Sequence, residues 1–147
     1  MSHSEYEGRA RLGQRIQNVS RLWRRAANQR LDDYGVSHAT AAPLLALWRM
    51  GGEARQGVVA EMAGLEGPSM VRLVDVLLAE GLVTRREDPS DRRAKILQLT
   101  AQGEARMERI MAVLDDLREE LLAGIEESEL ARASAVLEQL EATLEHI

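Results

Sequence analysis

The chain has 147 residues, of which 45% are hydrophobic, enough for one domain of ordinary size with a real apolar core. It has no cysteine and only three scattered histidines, so disulfides and thiolate sites are excluded and a zinc or haem site is poorly supported. The formal net charge of −5 argues, at first sight, against a nucleic-acid partner.

The distribution of charge removes that objection. Residues 1–34 carry a net charge of +3 and residues 101–147 carry −8, so the acidic excess lies in the last third. Binding depends on where positive potential lies more than on the total. Eighteen of the nineteen basic residues are arginine, the better residue for forked contacts to phosphate and guanine.

No apolar run approaches the roughly 20 residues needed to cross a bilayer. The arginines near the N-terminus are not followed by an apolar core, so they do not form a secretory signal. We therefore expect a cytoplasmic protein.

A long first helix is predicted at about residues 6–34, ending before Gly35. Its apolar stripe alternates steps of four and three and consists of Leu12, Ile16, Val19, Trp23 and Ala26. Ser37 predicts the N-cap of a second helix that extends to about Met50 and contains Pro43.

Two short helices come next. The first covers about residues 56–62, with Val59, Ala60 and Met62 expected to be buried, and the second runs from Pro68 to Glu80. Two strands then flank the sequence EDPSDRR (residues 87–93), which we expect to form a loop longer than a minimal turn.

Two further helices are predicted, one from an N-cap at Thr100 to about Gly124 and one after a cap at Ser128. The apolar positions of both follow a seam with heptad spacing, which requires a partner helix. That partner is either another helix of this chain, in an internal bundle, or a second copy in an intertwined dimer.

A short helix, a tight turn and a second helix followed by a basic β-ribbon can straddle a DNA groove and its rim. The alternative is a helical hairpin that packs internally and binds nothing. The charged hairpin tip favours DNA.

The run from Pro68 to Gly103 resembles the signature of the MarR family (multiple antibiotic resistance regulators), and most closely its SlyA-type branch. The resemblance is carried by Pro68-Ser69 with Arg72 and Asp75, by Glu80-Gly81-Leu82, by Asp88-Pro89 to Asp91-Arg92-Arg93, and by Leu99-Thr100 with Gly103.

The resemblance implies a mainly α fold with a small β-hairpin: a winged helix-turn-helix in residues 35–100 and a helical dimerisation region in residues 1–34 and 101–147. It implies a homodimer that binds a pseudo-palindromic DNA operator as a transcriptional regulator, and we expect a repressor or a dual regulator. We expect no cofactor and no metal. The recognition helix would carry Pro68, Ser69, Met70 and Arg72.

Asp91 and Arg93 match the wing-tip pair of the family, in which the carboxylate orients an arginine that enters the minor groove. Such an arginine senses groove shape and A·T content. The remaining wing cations would mostly hold the DNA backbone and are Arg85, Arg86, Arg92 and Lys95.

Many members release DNA when a small aromatic or phenolic acid binds between the DNA-reading and dimerisation parts. The expected lining here is Arg15, Trp23, Tyr34, His38 and Trp48, with Arg15 or Arg24 pairing with a carboxylate. Ala41, where the family often has an aromatic residue, and Pro43 depart from its pattern near that pocket.

Two alternative functional classes remain. In a protein-interaction module, the winged helix would bind another protein and the acidic C-terminal third would bind a basic partner. An enzyme is not supported, because no nucleophile–base set or phosphate loop appears and the paired carboxylates are adjacent on charged helices.

Overall fold

The computed structural model describes residues 2–147 and contains two compact units, the first ending at Asp115 and the second comprising Asp116–Ile147. The elements in chain order are α1 (His3–Asp33), α2 (His38–Arg49), β1 (Glu53–Arg55), α3 (Gln56–Ala63), α4 (Gly67–Ala79), β2 (Val83–Asp88), β3 (Asp91–Leu99), α5 (Ala101–Leu122) and α6 (Glu127–Leu144). The predicted fold class, mainly helical with a winged helix-turn-helix, is confirmed. No helix within residues 2–147 is both long enough and apolar enough to span a bilayer.

Helix α1 begins at His3, three residues before the predicted start, because Ser2 and Glu5 form a capping box. The Ser2 hydroxyl accepts a hydrogen bond from Glu5 N, and the Glu5 carboxylate accepts one from Ser2 N. Leu31 is the buried residue of this 31-residue helix. Apolar side chains of the predicted stripe, such as Leu12 and Val19, remain about half exposed within the single chain.

The sheet has three antiparallel strands in the order β1-β3-β2, one strand more than predicted. Strand β1 pairs Glu53 with Gln98 and Arg55 with Ile96. It has only three residues, Glu53 to Arg55, which is too short a run for alternation to distinguish a strand from a loop. Its place depends on β3, which offers an unpaired edge.

The connection between β2 and β3 is shorter than predicted, since only Pro89 and Ser90 separate the strands. Asp88 Oδ1 accepts hydrogen bonds from Ser90 N at 2.9 Å and from the Ser90 hydroxyl at 2.7 Å. An aspartate that bonds the backbone two residues later closes a tight turn on its own. A shift in register between Glu87 and Asp88 accommodates it.

The core of the first unit lies where α2, α3, α4 and α5 meet the inner face of the sheet. Its fully buried side chains include Leu44, Leu47, Val59, Val74, Leu77, Leu97, Met107 and Ile110. Val59 is buried as predicted, whereas Met62 is 61% exposed and does not join the core.

The start of α5 is joined closely to the base of the wing. Thr100 is its cap, as predicted, because the Thr100 hydroxyl accepts a hydrogen bond from Gly103 N at 3.0 Å. The same hydroxyl donates to the Gly81 carbonyl at 2.6 Å. A side chain at Gly103 would collide with the Leu82 carbonyl, which explains a glycine inside this helix.

In the second unit, α6 begins at Glu127, and Glu126 occupies the N-cap position without a side-chain hydrogen bond. The prediction of Ser128 as the cap is therefore wrong. None of the α6 side chains is buried. The helix exposes an apolar series: Val136, Leu137, Leu140 and Leu144.

Candidate nucleic-acid interface

Helices α3 and α4 form the helix-turn-helix. Gly64 ends α3 in the left-handed conformation, with φ of 67°, and Leu65 N donates to the Ala60 carbonyl at 2.9 Å. Helix α4 begins at Gly67, three residues after Gly64, with Pro68 in its first turn. Helix α4 is therefore presented at a defined angle to α3, as a recognition helix requires.

The two faces of α4 are clearly separated. Its inner face buries Met70, Leu73, Val74 and Leu77. Its outer face exposes Pro68, Val71, Arg72, Asp75 and Val76.

Met70, a predicted DNA contact, is 3% exposed and belongs to the core, so the structure does not present it with Arg72. Ser69 is half-buried. Val71 was not predicted as a contact, although it is 54% exposed beside Arg72. Seven residues of α4 are apolar between Met70 and Leu78, so the sequence of this helix does not by itself decide whether Met70 or Val71 faces the core.

The wing tip holds the predicted Asp91–Arg93 pair. Asp91 Oδ1 accepts hydrogen bonds from Arg93 N at 3.0 Å and from Arg93 Nε at 3.2 Å. The side chain of Arg93 is 93% exposed while that of Asp91 is 34% exposed. Asp91 therefore fixes the start of the Arg93 side chain while the guanidinium extends into solvent, an arrangement suited to a narrow DNA groove.

The other four predicted wing cations are not equivalent. Arg85 and Arg92 are exposed, and within residues 2–147 neither forms an ion pair. Lys95 lies 3.4 Å from Glu87 on the paired strand. Arg86 forms an ion pair with Glu53 on β1. Arg85 and Arg92 are thus the freest to meet phosphate, and Arg86 the least free.

A second ion pair, not predicted, links β1 to the wing. Arg55 Nε donates to Asp88 Oδ2 at 2.6 Å, and Arg55 Nη2 donates to the Ser90 hydroxyl at 3.2 Å. The hydrogen bonds from the Ser90 backbone N–H and hydroxyl, and then the Arg55 guanidinium, hold the pKa of Asp88 below its usual value. The carboxylate is buried, charged and fully engaged in this turn.

An open groove of about 470 Å³ lies between the wing and the two helices. Val58 and Val71 line it from α3 and α4, and Arg93 and Lys95 line it from β3. The Gln56 carboxamide, at the start of α3, also lines it and has its Oε1 buried without a partner among the described residues. A groove with cations along one wall matches the path of a phosphate backbone between recognition helix and wing.

The five residues predicted to bind a small ligand are not brought together. A cavity of about 660 Å³ lies within the first unit, and His38 is the one of the five that lines it. Arg24, Arg72, Leu31 and Ile110 line the same cavity.

The other four ligand candidates lie elsewhere. Trp23, Tyr34 and Trp48 are 36%, 53% and 45% exposed and do not line this cavity. Arg15 lines a separate cleft on α1 with Arg11, Gln14 and Asn18. Helical periodicity indicates the face of a helix but not which faces of different helices enclose a space, which is why the predicted set scattered.

Known proteins share this arrangement. Residues 34–94 match the family model described as MarR family. A solved structure described as transcriptional regulator PA3341 is 37% identical to this chain, with 92% of this chain and 99% of the other covered and a TM-score of 0.79. This chain belongs to the MarR family.

Two more distant structures have the same fold. A MarR-family transcriptional regulator from Rhodococcus sp. RHA1 is 24% identical, with 95% of each chain covered and a TM-score of 0.75. A cysteine-to-serine mutant of MarR from E. coli, complexed with operator DNA, is 24% identical, with 88% of this chain and 92% of the other covered and a TM-score of 0.71.

Members of the MarR family are DNA-binding transcription regulators and not enzymes, so the prediction of a DNA-binding regulator is confirmed at that level. The assignment to the SlyA-type branch is not supported by these relatives and stays a prediction.

Proposed function

We propose that this MarR-family protein is a homodimeric repressor that binds a pseudo-palindromic operator, with α4 in the major groove and the β2–β3 wing in the adjacent minor groove. The observation that carries the proposal is the wing tip, where Asp91 orients an almost fully exposed Arg93. Within residues 2–147 the Arg93 guanidinium has no partner beyond Asp91, and it serves no packing purpose in the free protein.

The exposed face of α4 supplies the base-reading part. Arg72 offers two parallel donors to guanine O6 and N7, worth about 1–3 kcal/mol of discrimination. Val71 presents an apolar surface suited to a thymine methyl group. Pro68 and Ser69 lie in the first turn of α4, where backbone N–H groups favour a phosphate.

Two exposed apolar surfaces support a homodimer. Helix α1 exposes Leu12, Val19 and Trp23, and α6 exposes Leu137 and Leu140. We propose that residues 1–34 and 101–147 form the dimerisation region and that residues 35–100 read DNA. In a symmetric dimer, two recognition helices about 34 Å apart meet successive major grooves, which requires an inverted repeat in the operator.

The relatives agree with this proposal at the level of fold. The E. coli MarR mutant was crystallised on operator DNA and shares the winged helix-turn-helix.

A binding titration tests the proposal. Fluorescence anisotropy of a labelled duplex from the upstream promoter should give a sub-micromolar dissociation constant and at least tenfold preference over random duplex. The logarithm of the affinity should fall with the logarithm of salt concentration by about 0.9 per phosphate contact. Equal affinity for operator and random duplex would refute operator recognition. Unchanged promoter activity after deletion of the gene would refute repression.

The cavity near α4 supports release by a small aromatic acid. Its lining combines Leu31 and Ile110 with the cations Arg24 and Arg72, which suits an apolar ring bearing a carboxylate. Arg72 lies on both the cavity wall and the outer face of α4, so an occupant that binds it competes with DNA. A ligand releases DNA only if it binds the DNA-incompetent state more tightly.

Salicylate and benzoate are suitable probes for this second part. Each should shift the operator titration to higher protein concentration, and Arg24→Gln should reduce that shift while leaving the affinity without ligand unchanged. Identical curves with and without millimolar salicylate or benzoate would exclude aromatic-acid release and leave operator binding unaffected.

A further inference from the structure

The two edge strands of the sheet are connected to each other across the central strand. Because the register places Arg55 and Arg86 on either side of Ile96, and Glu53 opposite Gln98, these side chains share one face of the sheet. Neighbouring strands are about 4.8 Å apart, so a link from β1 to β2 spans about 10 Å. An arginine and a carboxylate side chain together are long enough to cover that distance.

The links run in both directions. Arg55 of β1 donates to Asp88 of β2, and Arg86 of β2 donates to Glu53 of β1. Each edge strand thus contributes one arginine and one carboxylate, and the four side chains form two neighbouring ion pairs across β3, Glu53–Arg86 nearer the base and Arg55–Asp88 nearer the tip. We call these four residues the wing staple.

The position of the staple connects the wing to the helix-turn-helix. Arg55 is the last residue of β1 and also the N-cap of α3. Asp88 and Ser90 are its partners in the turn of the hairpin, immediately before Asp91. The guanidinium of Arg55 is therefore a direct contact between the first helix of the DNA-reading motif and the tip of the wing.

Little apolar packing holds this outer part of the wing, where Ala94 and Ile96 are only half-buried. Val83 and Leu97 are buried at its base, but Arg85 to Glu87 and Arg92 to Arg93 are exposed. Beyond the base, the polar contacts of the wing staple add to this limited packing and help to fix the direction of the hairpin. Three of the four staple side chains are 45–49% exposed, so their contribution to global stability is small.

We propose that Glu53, Arg55, Arg86 and Asp88 are positioning residues that hold the wing at a set angle to the helix-turn-helix, so that Arg93 reaches the minor groove while α4 occupies the major groove. For its effect on DNA this inference rests on the proposed operator binding. In this proposal Arg55 and Arg86 act through their carboxylate partners and not through phosphate. Arg55 also lines the groove between the wing and the two helices, so the salt dependence of its variant separates the two roles.

The direct test measures wing orientation without DNA. Residual dipolar couplings of the amides of residues 85–95 should fit the alignment tensor of α3 and α4 in the wild-type dimer. In Arg55→Gln, the couplings of residues 85–95 should agree with that tensor much less well, because the wing no longer keeps one orientation. The couplings of α2 and α4 should stay unchanged. Couplings that fit equally well in both proteins would overturn the inference.

The functional test is a double-mutant cycle with Arg93. Arg55→Gln should weaken operator binding about tenfold in the wild-type background and less than about twofold in the Arg93→Ala background. The salt dependence of Arg55→Gln should match that of the wild type, because no phosphate contact is lost. An equal loss in both backgrounds, or a smaller salt slope, would show a direct DNA contact or general damage and would overturn the inference.

A charge exchange controls for folding. Glu53→Arg combined with Arg86→Glu restores opposite charges across β3, so the double variant should recover most of the affinity that either single variant loses. Failure of the pair to recover affinity, with an unchanged melting temperature, would count against a staple. If the wild type shows no operator preference, the proposed function fails, and the dipolar couplings alone decide whether the staple orients the wing.

Discussion

At the scale of single residues, the contact between Asp91 and Arg93 at the wing tip orients the arginine side chain before it meets DNA. Asp91 and Arg93 are two residues apart, and the carboxylate contacts both the backbone N–H and the Nε of the arginine. A long side chain ordinarily loses much rotamer freedom on binding, at a cost of about 1–2 kcal/mol. Because Asp91 already restricts the rotamers of Arg93 in the free protein, less of this entropy is lost on binding DNA.

Arg93→Ala should therefore weaken operator binding by about tenfold to a hundredfold, or about 1.4–2.8 kcal/mol, because each wing of the dimer loses its minor-groove contact. Asp91→Asn should have a smaller effect, about threefold to tenfold, since the guanidinium remains but is less well oriented. Anisotropy titrations measure both.

Arg49→Ala is the matched control for these variants. Arg49 is an exposed arginine at the end of α2. The turn that follows it lies at the base of the sheet, because the Gly52 carbonyl accepts a hydrogen bond from Leu99 N. Arg49 lies away from the tip, and its substitution should leave the affinity unchanged. An equal loss in Arg49→Ala and Arg93→Ala would indicate a general charge effect instead of a contact at the wing tip.

Asp88 carries a pH-dependent contribution to stability. Hydrogen bonds from Ser90 and the ion pair with Arg55 hold the pKa of Asp88 below its ordinary value of about 3.9. A pKa lower in the folded than in the unfolded state stabilises the fold above the unfolded pKa, and this contribution is lost as pH falls through the folded pKa.

Urea unfolding of the wild type and of Asp88→Asn should therefore differ most near neutral pH. The difference in free energy of unfolding should be constant from pH 7 to about pH 5 and should shrink below about pH 4. A difference that is the same at about pH 7 and about pH 3.5 would mean that the charge of Asp88 contributes nothing.

At the scale of elements, the junction between α5 and the wing base is packed at backbone distance. Thr100 caps α5 and bonds the Gly81 carbonyl, while Gly103 lies against the Leu82 carbonyl. The atom that a larger residue would meet is backbone and cannot rotate away. The close approach fixes where the sheet begins relative to α5.

Gly103→Ala should destabilise the protein by about 1–3 kcal/mol, because the added methyl group forces α5 away from Leu82. Denaturant unfolding measures this change. Gly57→Ala is the control, since Gly57 is also helical and has no atom within 4 Å of the added Cβ. That substitution should be neutral or slightly stabilising, and equal destabilisation by both would contradict the packing argument.

At the scale of the whole molecule, operator reading requires two copies. The exposed apolar side chains of α6 are unusual for a monomer, because no residue of that helix is buried within the chain. Burying them against a second copy removes apolar surface from water at about 25 cal/mol per Å².

Leu137→Glu combined with Leu140→Glu should convert the dimer to a monomer, because four buried charges in the symmetric interface would lack partners. Light scattering after size exclusion measures the mass, and operator affinity should fall at least a hundredfold as the two half-sites lose their linkage. Glu138→Gln with Glu141→Gln changes neighbouring charged positions and should remain dimeric. A wild-type chain that stays monomeric at micromolar concentration would contradict the proposed assembly.

The sequence by itself determined the helices, the hairpin and the Thr100 cap. These depend on contacts between residues a few positions apart, or on periodicity within one element, so the local order of residues is sufficient. The Asp91–Arg93 pair was predicted from the resemblance to the MarR family, and its contacts are equally local. The resemblance carried by the residues from Pro68 to Gly103 led to the correct family.

Tertiary structure alone decided the third strand, the burial of Met70 beside an exposed Val71, and the partners of Arg55 and Arg86. Arg55 and Asp88 are 33 positions apart, as are Glu53 and Arg86, and they meet because β3 lies between their strands. Strand order and register arise from the folding of the whole unit around one core. An arginine that the sequence predicts to be available for DNA can therefore be paired with a carboxylate in the fold, as Arg86 is with Glu53.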